Sequence, residues 1–129
     1  MQIISDTNIF LAVALDEPEK ENIIRLTSNC DATSPNILPY EIGNALTSMT
    51  KRKQLTDNEA ISTYKIASQI PVRLVSIDIQ KALELALKYN IYAYDAYFLQ
   101  CAQSLSCPLI TLDKRMKQVA KDLNIKLLE

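Results

Sequence analysis

Histidine and tryptophan are absent from this 129-residue sequence, and it contains a single glycine, Gly43. Without histidine, the chain cannot form a Ser-His-Asp triad, a Cys-His pair or a histidine-ligated zinc site. Because Gly43 falls inside a predicted helix, neither a GxGxxG turn nor a Walker loop can be present. If the protein is an enzyme, its carboxylates must carry the chemistry, and hard oxygen ligands favour Mg²⁺ or Mn²⁺ over zinc.

The three cysteines, Cys30, Cys101 and Cys107, form no CxxC pair, so neither a disulfide framework nor a thiolate metal site is indicated. We interpret them as small buried apolar residues. No stretch approaches the roughly 20 apolar residues that a membrane span needs, and the N-terminus lacks a basic segment followed by a long apolar one. We therefore expect a soluble cytoplasmic protein with no membrane partner.

The composition, with 48% apolar and 22% charged residues, is that of an ordinary globular protein. With no linker, repeat or low-complexity stretch, the chain is most simply one domain, residues 1–129. Its pattern alternates short apolar strands with amphipathic helices, which predicts a three-layer α/β/α sandwich around a mostly parallel sheet of about five strands. The expected strands are residues 2–5, an extended piece near 30–34, 72–77, 109–111 and 125–128. Two capping patterns are predicted at helix starts: Asp16 with Glu19, and Thr56 with Glu59.

Two acidic residues stand at predicted strand ends. Asp6 follows the first strand directly, and Asp113 follows the strand 109–111 after one residue. Residues two apart in extended backbone share a face, so Asn8 is expected beside Asp6 and Thr111 beside Asp113. Parallel sheets bind ligands at this carboxyl edge, which makes it the expected functional site.

Two further acids, Glu41 and Asp95, stand at helix beginnings, where the helix dipole favours negative charge. Asn44, one helical turn beyond Glu41, is a candidate supporting hydrogen-bonding group. Each acid has a structural explanation as well. Asp6 and Asp113 stand between a strand and a helix, where aspartate is commonly a helix cap; a first-turn glutamate such as Glu41 is commonplace, and a capping role is open for Asp95. Asp95 is the most telling, since the residues around it are aromatic or apolar.

Four motifs together resemble the PIN domain, and particularly the VapC-type ribonuclease toxins of toxin-antitoxin systems: Asp6-Thr7-Asn8, Pro39-Tyr40-Glu41, Tyr94-Asp95-Ala96 and Thr111-Leu112-Asp113. The resemblance covers the whole chain in length, order and spacing. It implies a PIN-like fold in which Asp6, Glu41, Asp95 and Asp113 are the catalytic acids, supported by Asn8 and Thr111. It further implies that Asp6, Asp95 and Asp113 hold Mg²⁺ or Mn²⁺, with Glu41 positioning the metal or the attacking water.

The same resemblance implies a metal-dependent endoribonuclease that hydrolyses single-stranded RNA. It also implies a VapB-type antitoxin partner and a homodimer, both using the helices between residues 41 and 70. With the four site acids neutralised, 14 basic residues face 11 acidic ones, a net charge of +3, so RNA must be attracted by local patches. The candidate patches are Lys51, Arg52 and Lys53, and Lys114 with Arg115. Four tyrosines near Asp95 could stack on bases, although packing is the more common role for such residues: Tyr89, Tyr92, Tyr94 and Tyr97.

Two other functions remain open. A non-catalytic PIN-like module would bind RNA or protein without cutting, and failure to bind divalent metal would favour it. A phosphotransfer receiver or phosphatase would need a second acid directly beside Asp6 or an Asp-x-Asp nucleophile, and Asp6-Thr7-Asn8 provides neither.

Overall fold

A computed structural model describes all residues, 1–129, as four strands and seven helices. In chain order they are β1 (Gln2–Ser5), α1 (Thr7–Ala14), α2 (Lys20–Thr27), β2 (Asp31–Pro35), α3 (Leu38–Lys51), α4 (Asp57–Ala67), β3 (Arg73–Val75), α5 (Ile79–Tyr89), α6 (Ala93–Leu105), β4 (Leu109–Ile110) and α7 (Lys114–Asp122). None of the helices is both long and apolar enough to cross a membrane.

The strands form one parallel sheet in the order β3-β2-β1-β4. In the register, Ile4 lies opposite Thr33 on one side and Leu109 on the other, and Ser5 lies opposite Ile110. The carboxyl ends of β1 and β4 therefore meet at one edge. That edge carries Asp6 and Thr111.

Both faces of the sheet are covered, as the sequence predicted. Ile4 belongs to a cluster of 19 buried apolar residues, whereas its neighbour Ile3 belongs to a separate cluster of five. Successive residues of a strand point to opposite faces, so these two clusters are the cores on either side of the sheet. The smaller one, which includes Ile9 and Ile23 of α1 and α2, covers its face thinly.

The helix-cap predictions have different outcomes. Thr56 and Glu59 form the expected reciprocal capping box at the start of α4. The predicted pair of Asp16 and Glu19 is wrong, because Glu19 makes no side-chain cap to α2. Asp16 instead adopts a left-handed backbone conformation with φ of 55° and forms a salt bridge with Lys20. A short polar side chain tolerates that conformation better than most.

The prediction of about five strands is also corrected, since the sheet has four. The chain end at 125–128 pairs with β4 only through a single parallel bridge between Leu109 and Leu127. β4 itself is only two residues long and ends before Thr111. A fifth strand therefore has little to pair with. Among the cysteines, Cys101 is buried as expected, whereas Cys30 and Cys107 are only partly buried, and all three are free.

Candidate functional site

Asp6 is the most deeply placed acid at the carboxyl edge of the sheet. It follows β1 and is the N-cap of α1, and the residue is only 6% exposed. One carboxylate oxygen, Oδ1, accepts a 2.7 Å hydrogen bond from the backbone N–H of Thr7. The other, Oδ2, accepts a 2.7 Å bond from the hydroxyl of Thr111. Asp6 is therefore both a helix cap and part of a side-chain network between β1 and β4.

The Thr111 hydroxyl is the centre of that network. Besides donating to Asp6, it accepts a 3.0 Å hydrogen bond from the backbone N–H of Asp113 and a 3.4 Å bond from the Asn8 amide. The Asn8 carbonyl in turn accepts from the backbone N–H of Leu112 at 3.2 Å. The residues predicted as two pairs, one on each strand end, thus form a single connected group.

Glu41 joins the group through a residue that sequence reasoning missed. It lies in the first turn of α3, and its Oε2 accepts a 2.6 Å hydrogen bond from the hydroxyl of Thr7. Thr7 therefore connects α1 to α3 while its backbone N–H holds Asp6. The sequence shows a hydroxyl residue between Asp6 and Asn8, but it contains nothing that predicts a contact between Thr7 and Glu41.

The remaining two acids, Asp95 and Asp113, come from the starts of α6 and α7. Asp95 is half-buried in the first turn of α6. Asp113 is the N-cap of α7, where its Oδ1 accepts a 2.9 Å hydrogen bond from the backbone N–H of Met116. The capping explanation is thus correct for Asp113, which still keeps unused lone pairs because a carboxylate offers about four acceptor positions.

Burial and the negative charges of neighbouring acids raise the pKa values of three of the four acids. Burial raises the pKa of Asp6 from 3.8 to about 7; the bonds from Thr111 and Thr7 oppose this rise, and the charges of Asp95 and Glu41 add to it. The pKa of Glu41 is raised by burial and by Asp95, against the bond from Thr7. The pKa of Asp95 is raised by burial and by Asp113. These couplings place the four predicted acids in one electrostatic group.

No basic side chain compensates this charge. The salt bridges of the protein, Lys20 with Asp16 and Lys117 with Glu129, involve none of the four acids. No three acidic or cysteine side chains converge on one point as a formed metal site would require. The donor set nevertheless suits a hard divalent cation, because every available ligand is an oxygen and the buried charge lacks a positive partner.

A cavity of about 330 Å³ opens beside the acids, between the starts of α3 and α6. Asn44, predicted as a supporting residue, lies on its wall and not in the hydrogen-bonded group around Asp6. The lining residues are Thr7, Ile37, Tyr40, Glu41, Asn44, Ala45 and Tyr94.

The two predicted basic patches differ in position. Lys114 and Arg115 open α7 directly after Asp113, and Arg115 also donates a 2.8 Å hydrogen bond to the backbone carbonyl of Tyr89. Lys51, Arg52 and Lys53 lie at the other end of α3, roughly 15 Å from Glu41 at the helical rise per residue. A role in RNA binding stays a prediction for both patches, and the first is nearer to the acids.

A parallel sheet with acids gathered at its carboxyl edge is the arrangement implied by the resemblance to PIN domains. The family model described as "PIN domain" matches residues 3–122. The chain therefore belongs to the PIN domain family.

Individual relatives agree with this assignment. The chain is 24% identical to Ribonuclease VapC3 of Pyrobaculum aerophilum over 123 residues, which cover 92% of this chain and 94% of that protein. The crystal structure of PAE2754 from Pyrobaculum aerophilum matches with a TM-score of 0.68 and 19% identity, covering 92% of this chain and 79% of that one. VapBC2 from Rickettsia felis, bound to a DNA fragment from its promoter, matches with a TM-score of 0.67 and 18% identity, covering 98% and 97%. The resemblance to VapC-type proteins and the predicted fold are confirmed.

Proposed function

We propose that this protein is a divalent-metal-dependent endoribonuclease that cleaves single-stranded RNA as the toxin of a toxin-antitoxin pair. The observation that carries the proposal is the buried Asp6, whose pKa is raised to about 7 beside three further acids with no basic partner. Such an uncompensated charge costs stability and suits a site that receives a cation. The name of the relative, Ribonuclease VapC3, supports the same activity.

Each acid has a proposed role. Asp6, Asp95 and Asp113 would hold Mg²⁺ or Mn²⁺, directly or through water. Such an ion supplies charge stabilisation at the scissile phosphate and a lowered pKa for the attacking water. Glu41, whose carboxylate accepts a hydrogen bond from the Thr7 hydroxyl, would help to position the metal or the attacking water. Thr111 and Asn8 hold Asp6 and the start of α7 in place through the bonds described above.

The deciding experiment is cleavage of end-labelled single-stranded RNA in Mg²⁺, in Mn²⁺ and in EDTA. Asp95→Asn, purified identically, is the matched variant, because it removes one charge and keeps the shape of the side chain. We expect cutting that requires metal and that the substitution abolishes. Intact RNA with the wild-type protein in every metal, together with no Mg²⁺ binding by calorimetry, would overturn the proposal.

A non-catalytic PIN-like module is the second candidate. The observation in its favour is that no three acidic side chains converge on one point. It predicts equal RNA binding by the wild-type protein and Asp95→Asn, without cleavage by either one. The same experiment therefore separates the two candidates.

We further propose a VapB-type antitoxin as the partner, supported by the likeness to VapBC2. An apolar cavity of about 670 Å³ lies between α1, α2 and the face of the sheet formed by β1, β2 and the start of β3, and its lining includes Ile24. The region expected from the resemblance, residues 41–70, leaves Ile66 exposed on α4. These two isoleucines are a matched pair, since they are 49% and 50% exposed and both lie on helices.

Substituting each isoleucine with glutamate, and co-purifying the variant with a candidate VapB-type antitoxin, identifies the surface. Loss of the partner with Ile24→Glu alone assigns the larger cavity, and loss with Ile66→Glu alone assigns α4. Retention by both variants would contradict docking at either place. A homodimer and a cytoplasmic location stay predictions, the first open to light scattering and the second to cell fractionation.

A further inference from the structure

The cavity of about 330 Å³ beside the acids has features that the proposed hydrolysis does not use. Its walls combine two tyrosine rings, Tyr40 from α3 and Tyr94 from α6, with apolar groups and the amide of Asn44. Tyr40 and Asn44 are four residues apart in α3, so they lie side by side on one helix face. The cavity shares Glu41 and Thr7 with the candidate site, so an occupant of it would directly adjoin the acids.

The two rings are exposed in a way that packing does not explain. Tyr40 is 75% exposed and Tyr94 is 55% exposed. Tyr94 is held edge-on by Tyr97, with ring centroids 5.9 Å apart and an interplanar angle of 83°. Because Tyr97 packs against the large core cluster, this contact restricts the Tyr94 ring, which is still more than half exposed. An aromatic ring restricted in this way loses little entropy when a flat ligand stacks on it.

Charge decides which part of an RNA enters. Glu41 contributes a carboxylate to the cavity wall, and no lysine or arginine lines it. A phosphate would be repelled there, whereas a neutral base would stack on the rings and bury its faces against the apolar groups. The Asn44 amide offers both a donor and an acceptor to the edge of a base.

We infer that this cavity is a base-binding subsite, in which one unstacked nucleobase next to the scissile phosphate stacks on Tyr40 and Tyr94 and is contacted at its edge by Asn44. The inference rests on the proposed ribonuclease function. It assigns Tyr40, Tyr94 and Asn44 to substrate binding and selectivity, and the four acids to the reaction itself.

The first test is a coupling experiment between ring and base. Cleavage is measured for the wild-type protein, Tyr94→Ala and Tyr94→Phe on one RNA and on versions with a single abasic nucleotide at successive positions. Loss of the stack is expected to raise KM roughly 5- to 150-fold. At one position beside the cut, the abasic RNA should show that rise with the wild-type protein and a smaller further rise with Tyr94→Ala, because only the Tyr40 ring is then left to stack. Tyr94→Phe should behave as wild type, because the ring is retained.

The second test does not depend on cleavage. Since the protein has no tryptophan, Tyr40→Trp and Tyr94→Trp each introduce a single fluorescent reporter into the cavity. Leu105→Trp is the control, because Leu105 is also exposed but lies at the far end of α6, roughly 16 Å from Tyr94 along the helix. Short single-stranded RNA homopolymers of each base, added in EDTA, should quench the two cavity reporters and leave the control unchanged.

The outcomes separate this inference from the proposed function. If the wild-type protein cuts RNA but KM is unchanged in Tyr94→Ala and in Tyr40→Ala, the subsite is refuted and the ribonuclease stands. If no RNA is cut but both cavity reporters are quenched, the ribonuclease fails and the base site stands. Equal quenching of Leu105→Trp and the cavity reporters would overturn the subsite, because binding would then be unspecific.

Discussion

We predict that the buried carboxylate of Asp6 lowers the free energy of unfolding of the protein once it is ionised. Burial raises the pKa of this carboxyl from 3.8 to about 7, so the native state holds the proton more tightly than the unfolded chain does. As the pH rises from the unfolded pKa of 3.8 to the native pKa of about 7, the unfolded chain loses this proton before the native state does. The free energy of unfolding therefore falls over this range and levels off above the native pKa. Replacing Asp6 with asparagine removes the charge and the cost together.

The magnitude follows from the shift. A rise of about three pKa units corresponds to roughly 4 kcal/mol of lost stability at pH 8, and about 2 to 3 kcal/mol of it should develop between pH 5 and pH 8. Asparagine gives back part of the gain, because its NH₂ group would face the Thr111 hydroxyl, which already accepts from Asp113 and Asn8. We expect Asp6→Asn to be about 1 to 3 kcal/mol more stable than the wild-type protein at pH 8 without metal.

The assay is urea unfolding in EDTA at pH 5 and pH 8, followed by circular dichroism. Asp78→Asn is the control, since Asp78 caps α5 in an exposed position and asparagine is an equally good cap. Added Mg²⁺ should stabilise the wild-type protein by about 2.7 kcal/mol at a hundredfold excess over Kd, and Asp6→Asn by much less. A variant less stable than wild type at pH 8, or a wild-type stability that is equal at both pH values, would refute the reasoning.

Three other changes test separate parts of the molecule. Thr111→Val removes the hydroxyl that bonds to Asp6 and to the backbone of Asp113, so it should lower the free energy of unfolding by about 1 to 3 kcal/mol and abolish cleavage. Thr111→Ser keeps the hydroxyl and should keep both the stability and the activity. Equal behaviour of the two variants would count against the network. Thr56→Ala breaks the capping box of α4 and should lower stability by about 1 kcal/mol with RNA cleavage unchanged, so a loss of activity at equal folding would be unexpected. Lys114→Ala should weaken RNA binding for all sequences alike and reduce the slope of log K against log salt by about one, and an unchanged slope would remove Lys114 from the interface.

The strand ends show what the sequence could predict. Asp6 and Asp113 follow apolar strands, and parallel strands end at one edge, so their proximity follows from local pattern and general topology. Sequence spacing also placed Asn8 and Thr111 correctly on the side of the acids. Caps such as Thr56 with Glu59 are equally local, because both partners lie within one helical turn.

Features that depend on how distant elements pack could not be predicted in this way. The bond from Thr7 to Glu41 joins α1 to α3 across 34 positions, and it depends on the orientation of two helices. The short β4 is another case: the apolar pattern predicted a strand over 109–111, but the strand ends at Ile110 and the Thr111 side chain bonds to Asp6 of the neighbouring segment. The cavity beside Glu41 likewise arises from where α3 and α6 begin relative to each other.

Neutral hydroxyl groups, and no basic side chains, orient two of the four acids. Asp6 and Glu41 are oriented by the hydroxyls of Thr111 and Thr7, and no lysine or arginine contacts either carboxylate. A hydroxyl fixes the geometry while leaving the negative charge uncompensated, whereas a basic side chain would neutralise it and compete with a cation for the same oxygens. The raised pKa values of Asp6 and Glu41 follow from burial and neighbouring negative charges that no basic side chain offsets, and we propose that a divalent cation fills that role. On this argument, a basic side chain that contacted these carboxylates would lower their pKa values and compete with a cation for the same oxygens.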